Sequence, residues 1–542
     1  MGLSIPFYRI KDRNGIEHDV SAPRSGGEKN YLEYVFKKPG FLATCIYGIM
    51  FIILGNISGN AIAFGSYTAV AAGKDPTKGL VVGLAILTLC VSSGIHVFTR
   101  RGGILLNNFL AIAKILILLT MSILGFVHAG GKYLQATGSF TNMQATGNVM
   151  NVTATEINNA AVSNFDVHTS FQTSIHDVAS YVDSFLFALF SCTGFEQPFY
   201  ALSEFSRPRK VLPTYTLSAV GCLMIVYTLV NVSYFCVIPK EAYTENTLVA
   251  STFFHYLLDS SGDSQKAYRV MAGLVAFSCF GNVIIITFTA ARVKQEIAKQ
   301  GVLPYSLFFA SGHTTPWAWL KSRIVPIPRS TSIAGVEGIS LEDYKEKTPM
   351  AAFGLHWFSS VFLILVTVGL KSQAQYNFLS AIYSYVLVNI LGSLVSGSLL
   401  YLKLDSYFRG ENGNNWTAKA GATGFIPRIS PIHAIVYFVA NTFMIFASFV
   451  KPSKDSAYTS SKQGYPWYVL PTVGLSCLLL GVAWWTGLKG VEWHRRRTLV
   501  VSRTPYIERV SEGEYVQKAE LVEHEWIPDT IGDSDSERAN VS

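Results

Sequence analysis

Two charged side chains stand where the surrounding sequence is apolar. Lys114 lies in LNNFLAIAKILILLTMSIL. It is about ten residues inside that run, so on a helix it sits ~15 Å deep, near a bilayer midplane. An ammonium there costs about 2.5–3.5 kcal/mol on insertion scales and must point into protein. It acts as a fixed charge replacing a bound cation, as a proton carrier, or as a structural Lys held by packing carbonyls. Glu196 belongs to FSCTGFEQPFYALSEFSRPRK, where the apolar run Phe185 to Phe190 stops at Ser191-Cys192-Thr193-Gly194 and restarts at Phe195. Gly and Pro at such a break free backbone groups that need partners in hydrocarbon, and a polar substrate is one. Interrupted spans point to the binding site of a secondary transporter; a kinked helix packed on its neighbours is the alternative. Phe190, Ser191, Cys192, Thr193, Gly194 and Phe195 are therefore candidate substrate contacts, the two Phe either gating or simply packing. Glu196 pairs with a cation, couples to protons or faces a wet cavity. Asn282 ends Ser278-Cys279-Phe280-Gly281-Asn282, small and polar atoms that suit close helix packing as well as ligand contact. Lys114, Glu196 and Asn282 form the candidate ion-site and coupling set.

No other chemistry stands out. His96, His356 and His433 are scattered, and no Ser/His/Asp grouping, phosphate-cradling Gly loop or metal spacing is present. The seven cysteines all lie in apolar stretches, unlike a disulfide framework or a metal site. The expectation is a non-enzyme with no cofactor and no metal.

The elements that must position these residues are membrane spans. Only 14% of the 542 residues are charged and half are hydrophobic, against about 25% charged in soluble domains. Ten candidate spans run 40–70, 80–98, 104–127, 180–203, 212–238, 269–291, 350–370, 376–402, 431–450 and 466–487, each near the length a bilayer requires. The excess of 43 Lys+Arg over 35 Asp+Glu sits in short loops, which orients a membrane protein and gives no reason to expect nucleic acid. One loop set carries Arg100-Arg101, Arg207/Arg209/Lys210, the segment 292–348, Lys403/Arg409 and Arg495-Arg496-Arg497. That set and both termini read as cytoplasmic. Loop 128–179, with Lys132 its only basic residue, reads as extracellular, and Asn151-Val152-Thr153 there is a glycosylation candidate at Asn151. The leader 1–38 is basic, 39–487 is the membrane domain, and the tail 488–542, acidic from Glu508, reads as disordered.

Several stretches, taken in order, resemble the amino acid–polyamine–organocation superfamily. PRSGGEKNYLEYVFKKPGF (23–41) resembles the lead-in to the third family helix, in wording closest to fungal high-affinity methionine permeases near the L-type branch. NNFLAIAKILIL (107–118) resembles the fifth helix with its Lys. FSCTGFEQPFYALSEFSRPRKVLP (190–213) resembles the broken sixth, FSCFGNVIIITFTAARVKQEIAKQGVLP (277–304) the eighth, and TPMAAFGLHW (348–357) the start of the ninth. The resemblance spans about residues 23–490.

It implies an all-α polytopic transporter whose first ten family helices form two inverted five-helix repeats, followed by two C-terminal helices. Ser191–Gly194 would bind the backbone groups of an amino acid, and Phe190 would match the aromatic gate. Lys114 would reach the first helix where sodium-coupled relatives hold an ion, implying proton-coupled or uncoupled transport. The implied activity is alternating-access import of a neutral amino acid, methionine foremost, across the plasma membrane. The ten spans match family helices three to twelve. Helices one and two have no counterpart, residues 1–22 are unlike the family, and Lys114 is left without its expected partner. The resulting expectation is a reading frame that starts upstream of Met1, with a shortened isoform as the alternative. A non-transporting sensor, an inactive fragment, or a carrier or exchanger of another neutral or sulfur-containing amino acid are the competing functional expectations.

Overall fold

The computed structural model describes residues 8–11, 17–20, 24–146, 164–166, 168, 178–205, 208–239, 249–258, 264–324, 347–409, 431–452, 465–511 and 514–528. Seven helical stretches among them are long and apolar enough to cross a membrane: Leu42–Ala71, Lys78–Phe98, Arg100–Gly130, Val211–Val237, Tyr268–Ala298, Ser372–Asp405 and Val469–Arg495. Three shorter apolar helices, Val178–Ser191, Met350–Val366 and Ile432–Ala447, fill the remaining expected spans. The fold is a polytopic helical bundle.

In chain order a small hairpin, β1 (Tyr8–Lys11) with β2 (Glu17–Val20), precedes the short helix α1 (Glu28–Val35). The first span is split into α2 (Leu42–Leu54) and α3 (Ser58–Ala71). At the split, Asn56 Nδ2 donates to the Ile53 carbonyl at 2.6 Å, and its Oδ1 accepts the Ser58 amide at 3.1 Å. One side chain thus caps both half-helices, satisfying groups that would otherwise be orphaned. Helices α4 (Lys78–Phe98) and α5 (Arg100–Thr146) follow. Then come α6 (Val178–Ser191), α7 (Gln197–Tyr200) and a 3₁₀ turn (Leu202–Glu204). After α8 (Pro208–Val237), α9 (Val249–Leu258) and α10 (Ser264–Ala298), the short helices α11 (Ser306–Ala310) and α12 (Pro316–Ile324) flank a two-residue bridge of β3 (His313–Thr314) with β4 (Lys347–Thr348). Helix α13 (Met350–Val366) precedes α14 (Ser372–Tyr383), which passes through a π-helical segment (Ser384–Ile390) into α15 (Leu391–Arg409). Helices α16 (Ile432–Ala447) and α17 (Val469–Arg495) close the bundle.

The main core joins Tyr47 and Phe51 of α2, Leu186 of α6, Tyr200, Val293 and Ile297 of α10, and Tyr385 and Val386 of the π segment. A second core packs Ile62 of α3 and Val81 and Leu89 of α4 on Val283 of α10 and Ile364 of α13. Outside these, α5 and α8 present large apolar side chains such as Phe109, Ile112, Leu116, Leu217 and Ile225 outward, the surface that lipid solvates.

Three expected boundaries are corrected. Helix α5 runs to Thr146, past the expected span end at 127; no proline interrupts Arg100 to Thr146, so nothing in the backbone ends its hydrogen-bond ladder. The segment expected as a loop from residue 292 begins as the last two turns of α10. Within the tail 488–542, expected to be disordered, the described residues instead complete α17 to Arg495 and pair β5 (Arg497–Ser511) with β6 (Glu514–Pro528) in an antiparallel hairpin. Its charge concealed a β-rich sequence, RTLVVSRTPYI opposite EYVQKAELVEHEWI. The hairpin is held to the bundle by ion pairs. Arg503 Nη1 lies 3.2 Å from Glu296 Oε2, and Glu520 lies 3.0 Å from Lys299 Nζ and 3.7 Å from Arg24 Nε. Asn151 lies outside the described residues.

Candidate functional site at the broken helix

Helix α6 stops at Ser191 and the chain turns through residues 192–196 before α7 resumes at Gln197. Gly194 makes the turn with φ of 114°, a conformation costly to any residue with a Cβ. Its amide donates to Glu196 Oε2 at 2.9 Å, so the carboxylate folds back over the break. Pro198 suits the first turn of α7, where its missing N–H is not needed.

The turn leaves bare peptide groups. Among the described residues, the amides of Phe195 and Glu196 and the carbonyls of Ser191, Cys192 and Thr193 have no hydrogen-bond partner. The side chains behave differently. Ser191 Oγ donates to the Phe187 carbonyl at 2.8 Å and Thr193 Oγ1 to the Phe190 carbonyl at 2.7 Å, so their hydroxyl protons are already engaged. Ser191, Cys192 and Phe195 are exposed. Phe190 packs edge-on against Tyr376 and Tyr383 of α14, at centroid distances of 6.4 and 6.1 Å.

Glu196 is buried and accepts from three donors. Besides Gly194, Gln197 Nε2 donates to its Oε1 at 3.0 Å and the Tyr383 hydroxyl does so at 3.4 Å. The other end of the Gln197 amide accepts from Thr289 of α10. Below the break, Glu204 pairs with Arg292 at 2.7 Å and with Arg100, tying this segment to α5 and α10.

Lys114 and Asn282 meet. Lys114 Nζ donates to Asn282 Oδ1 at 2.5 Å across α5 and α10. Gly281 makes the approach possible, since a Cβ there would lie 2.9 Å from Lys114 Cε. The expected want of a partner for Lys114 is thereby corrected: an amide oxygen from α10 supplies it.

Sequence reasoning passed over three features. Glu28, at the start of α1, has its Oε2 3.5 Å from the Tyr47 hydroxyl of α2; only its place after a Gly pair marked it. The break in the first span at residues 55–57 looked like ordinary small residues. Asn389 in the π segment is fully buried, and neither amide atom has a partner among the described residues; an Asn amid SYVLVNI was the available signal.

Chemically, the break offers two N–H donors and three carbonyl acceptors at one place, the complement of a small zwitterion's carboxylate and ammonium. A sequence profile of the family described as amino acid permease matches residues 18–483, beginning five residues ahead of the expected start. The chain is 28% identical over 452 residues to the high-affinity methionine permease of Saccharomyces cerevisiae, covering 82% of this chain and 65% of that protein. It is 25% identical over 360 residues to the low-affinity methionine permease of the same yeast, covering 64% and 58%. A b(0,+)-type amino acid transporter of Oryctolagus cuniculus is 24% identical over 283 residues, covering 51% and 50%. The chain thus spans less than two thirds of the length of the two yeast relatives.

Proposed function

Since the chain belongs to the amino acid permease family, we propose that it carries a neutral L-amino acid, methionine foremost, across the plasma membrane by alternating access, with a proton as the coupling ion. The observation that carries this reading is the turn at 192–196, where unpartnered amides and carbonyls adjoin an aromatic pair, Phe190 and Tyr376. The substrate's carboxylate takes the amides of Phe195 and Glu196, its ammonium takes the carbonyls of Ser191 to Thr193, and Phe190 closes over it. Lys114 and Asn282 hold the neighbouring α5–α10 contact as a fixed charge, consistent with a carrier that needs no sodium. Methionine comes from the two yeast relatives.

The test is uptake of labelled methionine by permease-deficient cells expressing the full chain, with other neutral amino acids as competitors. Saturable uptake that is lost in Lys114→Ala supports the carrier. Absent uptake with normal surface delivery supports the second reading, a sensor or inactive fragment.

A further inference from the structure

A cleft of about 550 Å³ opens beside the link from α1 to α2, lined by Val35, Phe36, Lys37, Lys38 and Tyr401. That volume falls within the ~300–1,000 Å³ of small-molecule sites. One wall is the end of α1, where Tyr31, Tyr34 and Val35 pack on Leu399 and Leu402 of α15. The link itself is held from α17. Trp485 Nε1 donates to the Gly40 carbonyl at 3.0 Å, and Lys489 Nζ stands 5.9 Å from the centre of the Phe41 ring. Lys37 Nζ lies over the Tyr34 ring, 5.6 Å from its centre. Ahead of α1, the Ser203 amide donates to Ser25 Oγ at 3.1 Å, and the two hydroxyls lie 2.7 Å apart. The helix that leads to the two lysines is thus braced before its start and beyond its end.

No acid lines the cleft. Phe36, Lys37 and Lys38 are exposed, and among the described residues no ion pair includes Lys37 or Lys38. Glu33 of α1 is already engaged: Lys29 Nζ lies 2.9 Å away, Thr44 Oγ1 donates at 2.7 Å and Gln300 Nε2 at 3.2 Å. Glu492 of α17 holds Lys489 at 2.5 Å. Next to Tyr401, Lys403 and Asp405 offset each other in charge. Exposed lysines are content in water, but these two stand at a membrane boundary. The first span begins at Leu42 and the span containing α15 ends at Asp405, so the cleft lies where both leave the bilayer. Through Glu33 and Gln300 it adjoins the end of α10, the end that also gathers Arg100, Arg292 and Lys299. Such a basic excess marks the cytoplasmic side, whose leaflet presents anionic headgroups. Tyr401 and Leu394 are exposed on one face of α15, seven residues apart. Leu394 is therefore ~10 Å deeper in the span, at the level of acyl chains.

We propose that this cleft binds an anionic phospholipid of the cytoplasmic leaflet. The lipid phosphate takes the ammonium groups of Lys37 and Lys38, each a compact charge with three donors. The Tyr401 hydroxyl donates to the glycerol ester region, and one acyl chain lies along Tyr401 and Leu394. Charge decides the class of headgroup. A zwitterionic lipid would bring its own cation against two lysines, whereas an anionic one adds no such repulsion. Each lysine at a membrane surface strengthens this attraction about fivefold. The lipid ties α1, the link and α15 together at one end of the bundle. Its binding does not depend on what the bundle transports.

The test uses the purified full chain in a neutral detergent. Phosphatidylserine, phosphatidylcholine with the same chains, and inorganic phosphate are added separately. Retained lipid is counted by native mass spectrometry and the melting midpoint is recorded. One phosphatidylserine per chain should be retained at about a tenth or less of the concentration that phosphatidylcholine requires, and should raise the midpoint. Lys37→Gln combined with Lys38→Gln should need about tenfold or more phosphatidylserine for the same occupancy. Its midpoint without lipid should match the parent, since both side chains are exposed. Lys321→Gln combined with Arg323→Gln removes the same charge from exposed positions of α12 and should leave retention unchanged. Equal loss in the two double variants would show general surface attraction and overturn the site, as would equal retention of the two lipids. A midpoint raised as far by inorganic phosphate as by phosphatidylserine overturns the lipid in favour of a free anion. Lys38→Gln alone should cost about fivefold and serves where the double variant fails to fold; unmoved retention there overturns the site as well.

Discussion

Desolvation of the Glu28 carboxyl at the start of α1 sets a sign for stability against pH. Its folded value, about 8, lies above its ordinary 4.5. Below 4.5 both folded and unfolded chains hold the proton. Between 4.5 and about 8 only the folded chain does. Stability therefore falls as pH rises through that window, by up to about 1.4 kcal/mol per pH unit, and levels off above it. Thermal unfolding across the window should show this slope and lose it in Glu28→Gln. Lys114 and Asn282 give a second residue-scale outcome. Asn282→Leu strips the ammonium of its acceptor and should cost about 1–3 kcal/mol. Adding Lys114→Met should recover most of that loss, and simple additivity of the two substitutions in thermal melts would refute the pairing. Gly194→Ala places a Cβ at φ of 114°. That strain, of order 1–3 kcal/mol, should lower both the melting temperature and methionine uptake.

At the scale of elements, the π segment Ser384–Ile390 is entirely buried and carries Asn389 with both amide atoms unpartnered among the described residues. Such widened turns recur at functional sites. Asn389→Leu removes the buried polar group and should raise the melting temperature while reducing uptake; a fall in both would show that the amide is structurally required. These features also mark what could be read in advance. The spans were legible because long apolar runs have few other uses, and the break at Ser191–Gly194 because Gly and Pro interrupt one. The hinge at residues 55–57 was hidden because Gly55, Asn56 and Ser58 are unremarkable in a membrane helix. The π segment carries no mark but the lone Asn389 in SYVLVNI. Glu28 meets the Tyr47 hydroxyl only through tertiary packing, which no local pattern encodes. The hairpin of β5 and β6 was hidden because the charges of the tail mask the β propensity of its alternate residues.

At the scale of the molecule, one end of the bundle is laced by charges. Glu204 joins α5 to α10 through Arg100 and Arg292, and Glu296 and Glu520 gather Lys299, Arg503 and Arg24. Arg503→Ala should release the hairpin without unfolding the spans. Trypsin should then cut after Arg495, Arg496 or Arg497 sooner, while the thermal midpoint of the bundle stays put; unchanged cutting would mean the ion pairs do not hold the tail.

Arg24 and Ser25 are adjacent in the chain, yet they grip different things: Ser25 the segment after the break, Arg24 the strand that carries Glu520. A tug on either is a tug on both. On the alternating-access proposal, the tail must ride along or let go, so deuterium uptake at 520–527 becomes a distant gauge of occupancy in the membrane.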